Sequence, residues 1–356
     1  MAQTVQTILD RAEEGDPLSE ADIERLLSIV QEQERDALLA AARRVRAGHT
    51  ADRVFLYGFL YLSTFCRNDC HFCFYRRSNR ASPRYRKTPK QIVEAAGILA
   101  ESGVHLIDLT MGEDPAYFDG GDFQELAHTV SSVARATGLP VMVSPGMVNR
   151  ETLMVLKSSG ASWYACYQET HDRSLFEEIR PGQDFDQRLE GKRIARRLGL
   201  LTEEGMLSGL GESPTDVVRT LTAMRELETD QVRVMSFVPQ PGTPLAGRPL
   251  PDPDQEVKII AILRLLFPDR LIPASLDVFG LAGLRERLDA GANVITSLVP
   301  PGQGFAGVAQ STLDIDDARR TVASVEPVIR ECGLTAASVA EYRRWVENRM
   351  ERFSGA

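Results

Sequence analysis

Cys66, Cys70 and Cys73 stand in a C-x3-C-x2-C array within residues 57–77, YGFLYLSTFCRNDCHFCFYRR. The array directly follows an apolar, β-rich run, so three thiolates can converge from one tight loop at a strand exit. Three is the informative number. Structural zinc closes a tetrahedron with four protein ligands, usually drawn from paired C-x2-C units. A [4Fe-4S] cluster held by only three cysteines leaves one iron open to a small molecule. The competing readings are a zinc-stapled loop with His71 as fourth ligand, or simply three buried thiols. His71 lies beside Cys70 in a loop too short to complete a tetrahedron comfortably, and the spacing with its flanking aromatics favours the cluster.

Such a loop needs a rigid frame, and the chain after residue 53 supplies one. Short apolar strands alternate with amphipathic helices about eight times, with strands expected near 54–63, 104–110, 140–144, 162–168, 204–209, 231–238, 271–277 and 292–298. The helix between the first two is well marked. Thr88 is its N-cap and Pro89 its first residue, Ile92, Ala95, Ala96 and Leu99 form the buried face, and Gly103 stops it. Strand after helix after strand predicts a parallel sheet, and eight units favour a closed (β/α)8 TIM-type barrel over an open doubly wound sheet.

Ahead of the barrel, residues 19–46 read as two helices. Ser19 with Asp22 forms a capping box, Ile23, Leu26, Leu27 and Val30 share one face, and Asp36 opens a second stripe of Leu38, Ala41, Ala42 and Val45. This pair is expected to cap one end of the barrel. Two terminal helices, around 318–332 and 337–349, carry nothing that looks catalytic. The expected division is an N-terminal helical cap over 1–50, the barrel over 51–312, and C-terminal helices over 313–356.

In a barrel the chemistry sits at the C-terminal ends of the strands. In 104–110, Ile107 and Leu109 share the face suited to packing on helices, so Asp108 and Thr110 point into the lumen. In 231–238, Val232, Val234 and Val238 form the outer face and Arg233, Met235 and Phe237 the inner one. In 271–277, Ala274 and Leu276 face outward, leaving Ser275 and Asp277 inward. A lone inward arginine needs an anion. The bland reading is an internal salt bridge of Arg233 with Asp277 or Asp108. Buried pairs are often no better for stability than apolar packing, so one cation and two carboxylates in one lumen lean toward a ligand, and a zwitterion with an extra ammonium fits them.

The remaining composition narrows the class. The 356 residues are 43% hydrophobic and 26% charged, an ordinary globular balance. No apolar run reaches the roughly 18 residues that span a bilayer, and the N-terminal residues lack the basic-then-apolar order of a secretion signal. A net charge of -9 argues against a nucleic-acid surface. Five cysteines, three of them clustered, suit a reducing cytoplasm rather than a disulfide framework, with Cys166 and Cys332 expected to be small buried apolar residues. One basic island, Arg76, Arg77, Arg80, Arg84, Arg86 and Lys87, follows the cysteine loop. It reads equally as solvated loop or as a docking patch for an acidic electron donor. The long 74–88 and 239–255 loops are candidate lids.

The cysteine pattern, with Phe72 just before its last member, resembles that of the radical S-adenosylmethionine (SAM) enzymes, and the layout is similar to their biotin synthase-like group. The resemblance implies a [4Fe-4S] cluster on Cys66, Cys70 and Cys73, with SAM chelating the open iron and Phe72 among the cofactor-binding residues. Gly112 and Glu113, in LTMGEDP, resemble the GE motif whose backbone carbonyls receive the methionyl ammonium. Ser144 ends the third strand in VMVSPG, and Glu169 ends the fourth in YQET. Arg188, in FDQRL nineteen residues later, falls where related enzymes place an arginine on the methionyl carboxylate. Residues 205–213, GMLSGLGES, look like the strand that lines the adenine.

Longer runs carry the likeness further: FLYGFLYLSTFCRNDCHFCFYRRSN, RYRK, VRVMSFVPQPGTPL and IPASLDVFG. They imply a mutase that rearranges the carbon skeleton of L-lysine through a 5'-deoxyadenosyl radical, by fragmentation and recombination, with no side chain acting as general acid or base. On that likeness Asp108, Arg233, Ser275 and Asp277 fall on amino-acid-binding positions, the set that strand faces alone isolate. The implied partners are lysine and an external one-electron donor such as flavodoxin or ferredoxin. Biotin synthase itself is disfavoured, because its second cluster draws three more barrel cysteines and only Cys166 is available. The tyrosine-cleaving relative with an added C-terminal cluster is disfavoured because Cys332 stands alone. An [FeFe]-hydrogenase maturase remains a competitor through its similar YQET-like and GEDP-like motifs. From another class, a non-catalytic iron-sulfur electron carrier would gain nothing from an open iron or from polar strand ends.

Overall fold

The computed structural model describes residues 4–120, 122–309 and 313–354. Eight strands form the barrel wall: β1 Arg53–Tyr61, β2 Leu106–Thr110, β3 Val141–Ser144, β4 Ala161–Ala165, β5 Leu201–Ser208, β6 Gln231–Ser236, β7 Pro273–Ser275 and β8 Val294–Leu298. All pair in parallel, in the order 6-5-4-3-2-1-8-7. The ring closes between β6 and β7 through the single bridge of Gln231 with Leu271. At the upper end of that seam the ladder gives way to a side chain. The Ser236 N–H donates to Glu256 Oε2 at 2.8 Å, and Arg287 Nε holds the same carboxylate at 2.6 Å, so the backbone donor of β6 is satisfied without a strand beside it.

Period-two alternation sorts the core as the sequence predicts. Ile107, Leu109, Val232 and Val234 pack outward in the large core between strands and helices, while Leu106 belongs to a separate cluster inside the barrel. The helix Pro89–Glu101 begins at Thr88 with Pro89 at its start, and buries Ile92, Ala95, Ala96 and Leu99 as expected. Gly103, at φ +96°, turns the chain from that helix toward β2.

The two ends of the chain differ from expectation. Three helices precede the barrel, since Val5–Glu13 comes before Glu20–Leu27 and Glu32–Thr50. The capping box at Ser19 forms as read, but Val30 lies beyond the second helix and is exposed. These helices do not cap an end; they lie on the outer layer, against helix Pro253–Leu266. The alanine-rich stripe of Glu32–Thr50 permits that close approach, and Pro253–Leu266 is consequently buried nearly all round.

The C-terminal segment does the capping instead. After the short helix Leu313–Asp316 and helix Val322–Glu331, strand β9, Thr335–Ala336, pairs with the start of β1. Helix Val339–Ser354 then drives Tyr342 and Val346 into the lower lumen, among Phe55, Tyr57, Met142 and Trp163. The Tyr342 and Tyr57 hydroxyls meet at 2.7 Å, and Trp345 stacks on Trp163 at 5.9 Å. The expected junction at residue 312 lies outside the described residues. Among those described, no helix is long and apolar enough to cross a membrane.

Candidate functional site

A cavity lies at the C-terminal ends of the strands, and it gathers almost every residue that the sequence singles out. Cys66, Cys70, Cys73 and Phe72 line one part. Gly112, Glu113, Ser144, Glu169 and Arg188 line the adjoining wall, and Asp108, Arg233 and Asp277 reach it from the lumen. Ser275 is the exception. β7 ends at Ser275, whose hydroxyl caps the short helix Leu276–Phe279 by accepting from the Asp277 N–H at 3.2 Å. Past that point alternation no longer applies: the helical turn brings Asp277 to the cavity and leaves Ser275 one layer behind it.

The cysteine loop is pinned at both ends. The Arg67 N–H donates to Glu113 O at 2.8 Å, the Gly112 N–H to Ser63 O at 3.0 Å, and the His71 N–H to Ile179 O at 2.8 Å. Gly112 is required by close approach, because a Cβ there would stand 2.3 Å from Phe65 O and 3.0 Å from Cys66 Cβ. His71 is not on the cavity wall with the three thiols. Among the described residues no three His, Cys, Asp or Glu side chains close on one point as the ligands of a single ion do. Burial pushes the Cys66 thiol up to about 11 and Cys73 higher still, so thiolates there need positive charge brought to them. Three thiols on one wall, with arginines beside them, fit a polynuclear iron-sulfur group.

The next wall is built for a polar guest. Glu169 follows β4 at φ +69°, a left-handed conformation rare for a residue with a side chain, and its backbone bridges to β5 through Gly205 O and the Leu207 N–H. Arg180 Nη2 donates to Glu169 Oε1 at 2.9 Å, while Oε2, equally buried, has no partner among the described residues. Burial raises the Glu169 carboxyl above its usual range, against the pull of Arg180 and Arg188. Arg188 sits in helix Phe185–Arg197, capped by Asp184, and its Nε donates to Tyr167 O at 2.8 Å while Nη1 stands 3.6 Å from Glu113 Oε1. The Glu113 carboxylate also accepts from Arg67 and from the Met147 N–H. Among the described residues the expected GE carbonyls each have one backbone donor, Asp114 N on Gly112 O and Arg67 N on Glu113 O, which leaves one lone pair on each. Of residues 205–213, Leu207 reaches the cavity, and Gly205 makes room for the Tyr167 ring, 3.0 Å from where a Cβ would be. The turn beyond β5 is organised by Glu212, whose carboxylate takes the N–H groups of Gly209, Leu210 and Gly211.

In the lumen, the anion that Arg233 needs is neither Asp108 nor Asp277 but Glu203 of β5. Arg233 Nε donates to Glu203 Oε1 at 2.7 Å, and the Tyr167 hydroxyl donates to Oε2 at 2.8 Å. Asp108 accepts from the Thr110 hydroxyl at 2.9 Å, and burial, then the nearby Glu203 charge, raises its carboxyl to about 7. Asp277 is held hardest. Arg320 Nη1 donates to its Oδ1 at 2.5 Å, the Val308 N–H to the same oxygen at 3.2 Å, and the Ser297 hydroxyl to Oδ2. Arg320, fully buried and also paired with Asp314 at 2.6 Å, comes from the segment in which nothing looked functional. Val238, expected outward, also reaches the cavity, because β6 ends at Ser236. Cys166 is buried, but it too is on the cavity wall.

The basic island is mostly engaged in holding its own loop. Arg84 donates to the carbonyls of Thr64, Tyr75, Arg76 and Asn79, Arg86 pairs with Asp114 at 2.7 Å, and Arg76 and Arg77 pair with Asp69. The two candidate lids are joined by Asn79, whose side-chain amide donates to Phe74 O and Pro241 O, both at 2.9 Å.

Residues 60–224 match the family model of the radical SAM superfamily. The chain is 41% identical over 333 residues to 3-methylornithine synthase of Methanosarcina barkeri, covering 94% of each chain. It belongs to the 3-methylornithine synthase family of radical SAM enzymes. A crystal structure of methylornithine synthase superposes with a TM-score of 0.90 at 40% identity, covering 95% of this chain and 99% of that one. The [FeFe] hydrogenase maturase subunit HydE of Thermotoga maritima is more distant, at 32% identity over 82% of this chain and 83% of that one. Membership of the methylornithine synthase family therefore ranks the maturase reading second.

Proposed function

We propose that this enzyme isomerises L-lysine to 3-methylornithine, in a reducing cytoplasm, using SAM and a [4Fe-4S] cluster on Cys66, Cys70 and Cys73, with flavodoxin or ferredoxin as the electron source. The observation that carries the proposal is the single cavity that joins the three thiols to Asp108, Arg233 and Asp277, in a chain of this family. When bound, the reduced cluster and SAM supply a one-electron cleavage that yields a hydrogen-atom acceptor strong enough for an unactivated carbon.

The remaining work belongs to the chain. Gly112, Glu113, Ser144, Glu169 and Arg188 hold SAM: the free lone pairs of the Gly112 and Glu113 carbonyls suit an ammonium, Arg188 a carboxylate, and Glu169 Oε2 a hydroxyl donor, while Phe72 offers an aromatic face. Arg233 turns its outer guanidinium nitrogens to the lysine carboxylate while Glu203 keeps Nε. Asp108 and Asp277 meet the ammonium groups, and Ser275 contributes by fixing the Asp277 backbone. Arg320, Ser297 and the Val308 N–H prevent Asp277 from turning away, so the substrate is held at both ends. Fixed ends keep the fragments of a broken carbon bond together, and the enclosed lumen keeps water from them.

The test is to supply isotope-labelled lysine to anaerobically reduced protein with SAM and to separate the products by chromatography and NMR, since substrate and product have equal mass. Labelled 3-methylornithine is the expected outcome. Cleavage of SAM with lysine recovered unchanged would move the assignment to another substrate.

A further inference from the structure

Cys70 is treated differently from its two companions. Gln183 Nε2 donates to Cys70 Sγ at 3.0 Å, and Arg180 Nη1 approaches the same sulfur at 3.6 Å. Cys66 and Cys73 instead take backbone N–H groups, from Asn68 and Glu113 and from Tyr75. Among the described residues, Cys70 is the one of the three whose sulfur receives side-chain donors.

Neither donor is loosely placed. Arg180 is buried at the C-cap of helix Arg173–Ile179, its Nη2 is spent on Tyr167 O at 3.2 Å and Glu169 Oε1 at 2.9 Å, and its guanidinium lies 5.1 Å from the centre of the Phe72 ring. The Gln183 amide is oriented by its other half. Oε1 accepts from Arg180 Nη1 at 3.3 Å and from Arg188 Nη1 at 3.4 Å. With the oxygen facing two arginines, the NH2 group has to face the sulfur.

We propose that Arg180 and Gln183 set the reduction potential of the iron-sulfur group by donating to Cys70, acting on the metal through that sulfur. The proposal rests on the reading of the three cysteines as [4Fe-4S] ligands. One-electron reduction by the external donor adds negative charge that spreads onto the ligand sulfurs, and N–H groups aimed at a sulfur lower the cost of that charge. Arg180 adds a full positive charge at the same place. The pair therefore favours the reduced cluster and makes it easier to form.

The experiment is a redox titration of the anaerobically reconstituted full-length protein, followed by the electron paramagnetic resonance signal of the reduced cluster. Iron and sulfide are measured in every sample. Gln183→Leu removes the donor, Gln183→Glu replaces it with negative charge at the same shape, and Arg180→Gln removes the positive charge. All three are expected to lower the midpoint, Gln183→Glu more than Gln183→Leu. For Gln183→Glu the reduced-to-oxidised ratio at fixed potential should fall about tenfold, a shift of about 59 mV for a one-electron couple. Unmoved midpoints, or a larger shift in the differently shaped Leu variant than in the Glu variant, would overturn the tuning role while leaving the cluster assignment standing. A wild-type protein without any [4Fe-4S] signal would overturn the assignment and this inference with it.

Discussion

The two halves of the lumen are built from the same strands and are chemically opposite. At the lower end, Phe55, Tyr57, Leu106, Met142, Trp163 and Val294 meet Tyr342 and Val346 in an apolar plug. At the upper end the same strands, or the turns just beyond them, present Asp108, Arg233, Asp277 and Glu169 to a cavity. Two residues along a strand separate the sealed core from the cavity: Leu106 packs in the plug, and Asp108 faces the cavity. The lower end is stabilised by apolar burial and stacking. The upper end holds charges that burial alone would expel, and each is kept by named partners. Changes below should therefore cost stability and spare chemistry, whereas changes above should cost chemistry whether or not they also cost stability.

The largest effect is expected at the cysteines. Replacing any of Cys66, Cys70 or Cys73 with alanine should abolish iron binding and reduce SAM cleavage to background, read as iron content and 5'-deoxyadenosine formed. Asp277→Ala comes next. It should spare SAM cleavage and lower lysine turnover by on the order of a hundredfold or more, through lost positioning. It should also lower stability by about 3–5 kcal/mol, because Arg320 is left buried with one partner fewer. Normal lysine turnover in that variant would remove Asp277 from the substrate site. Tyr342→Ala should cost about 3–5 kcal/mol in denaturant unfolding by opening the plug, with turnover per folded molecule unchanged. A large loss of turnover there would break the division between the two ends.

Two smaller effects sharpen it. The Asp108 carboxyl titrates near 7 when folded against 3.8 for an unperturbed group, because of burial and then the Glu203 charge. The native state thus binds more protons than the unfolded chain between about pH 4 and 7, so this group's contribution to stability falls as pH rises through that window. Asp108→Asn should therefore raise the melting temperature increasingly from pH 5 to 8; an offset that does not change with pH would contradict this. In the wild type, lysine affinity should improve over pH 6 to 8, as Asp108 becomes able to meet an ammonium. Least affected should be donor-driven reduction in Arg77→Glu and Arg80→Glu, with no more than about a threefold change in rate at low salt, because most of the neighbouring basic residues are spent on their own loop.

Residues whose roles depend on local periodicity were legible in the sequence. Asp108 and Arg233 face the cavity because alternation over a few residues demands it, and the helix Pro89–Glu101 follows from its cap and its apolar face. What escaped depends on strand limits or on distant partners. β5 begins at Leu201, three residues before the expected start, and that offset hid Glu203, which shares the lumen face with Leu201 and Leu207. Ser275 lies off the cavity wall because β7 ends there and alternation gives way to a helical turn. Arg320 approaches Asp277 across 43 residues of chain, and no periodicity in either segment encodes that meeting. Gln183 and Arg180 lie in a turn and a helix end, where the sequence offers no face to read.

For lysine to react, the upper chamber must hold it where the radical chemistry begins. The most direct measurement uses lysine deuterated along its side chain, with SAM and the anaerobically reduced protein, and determines the mass of the 5'-deoxyadenosine released. Deuterium carried from lysine into 5'-deoxyadenosine is the predicted result. Unlabelled 5'-deoxyadenosine, formed while all of the lysine is recovered intact, would contradict it.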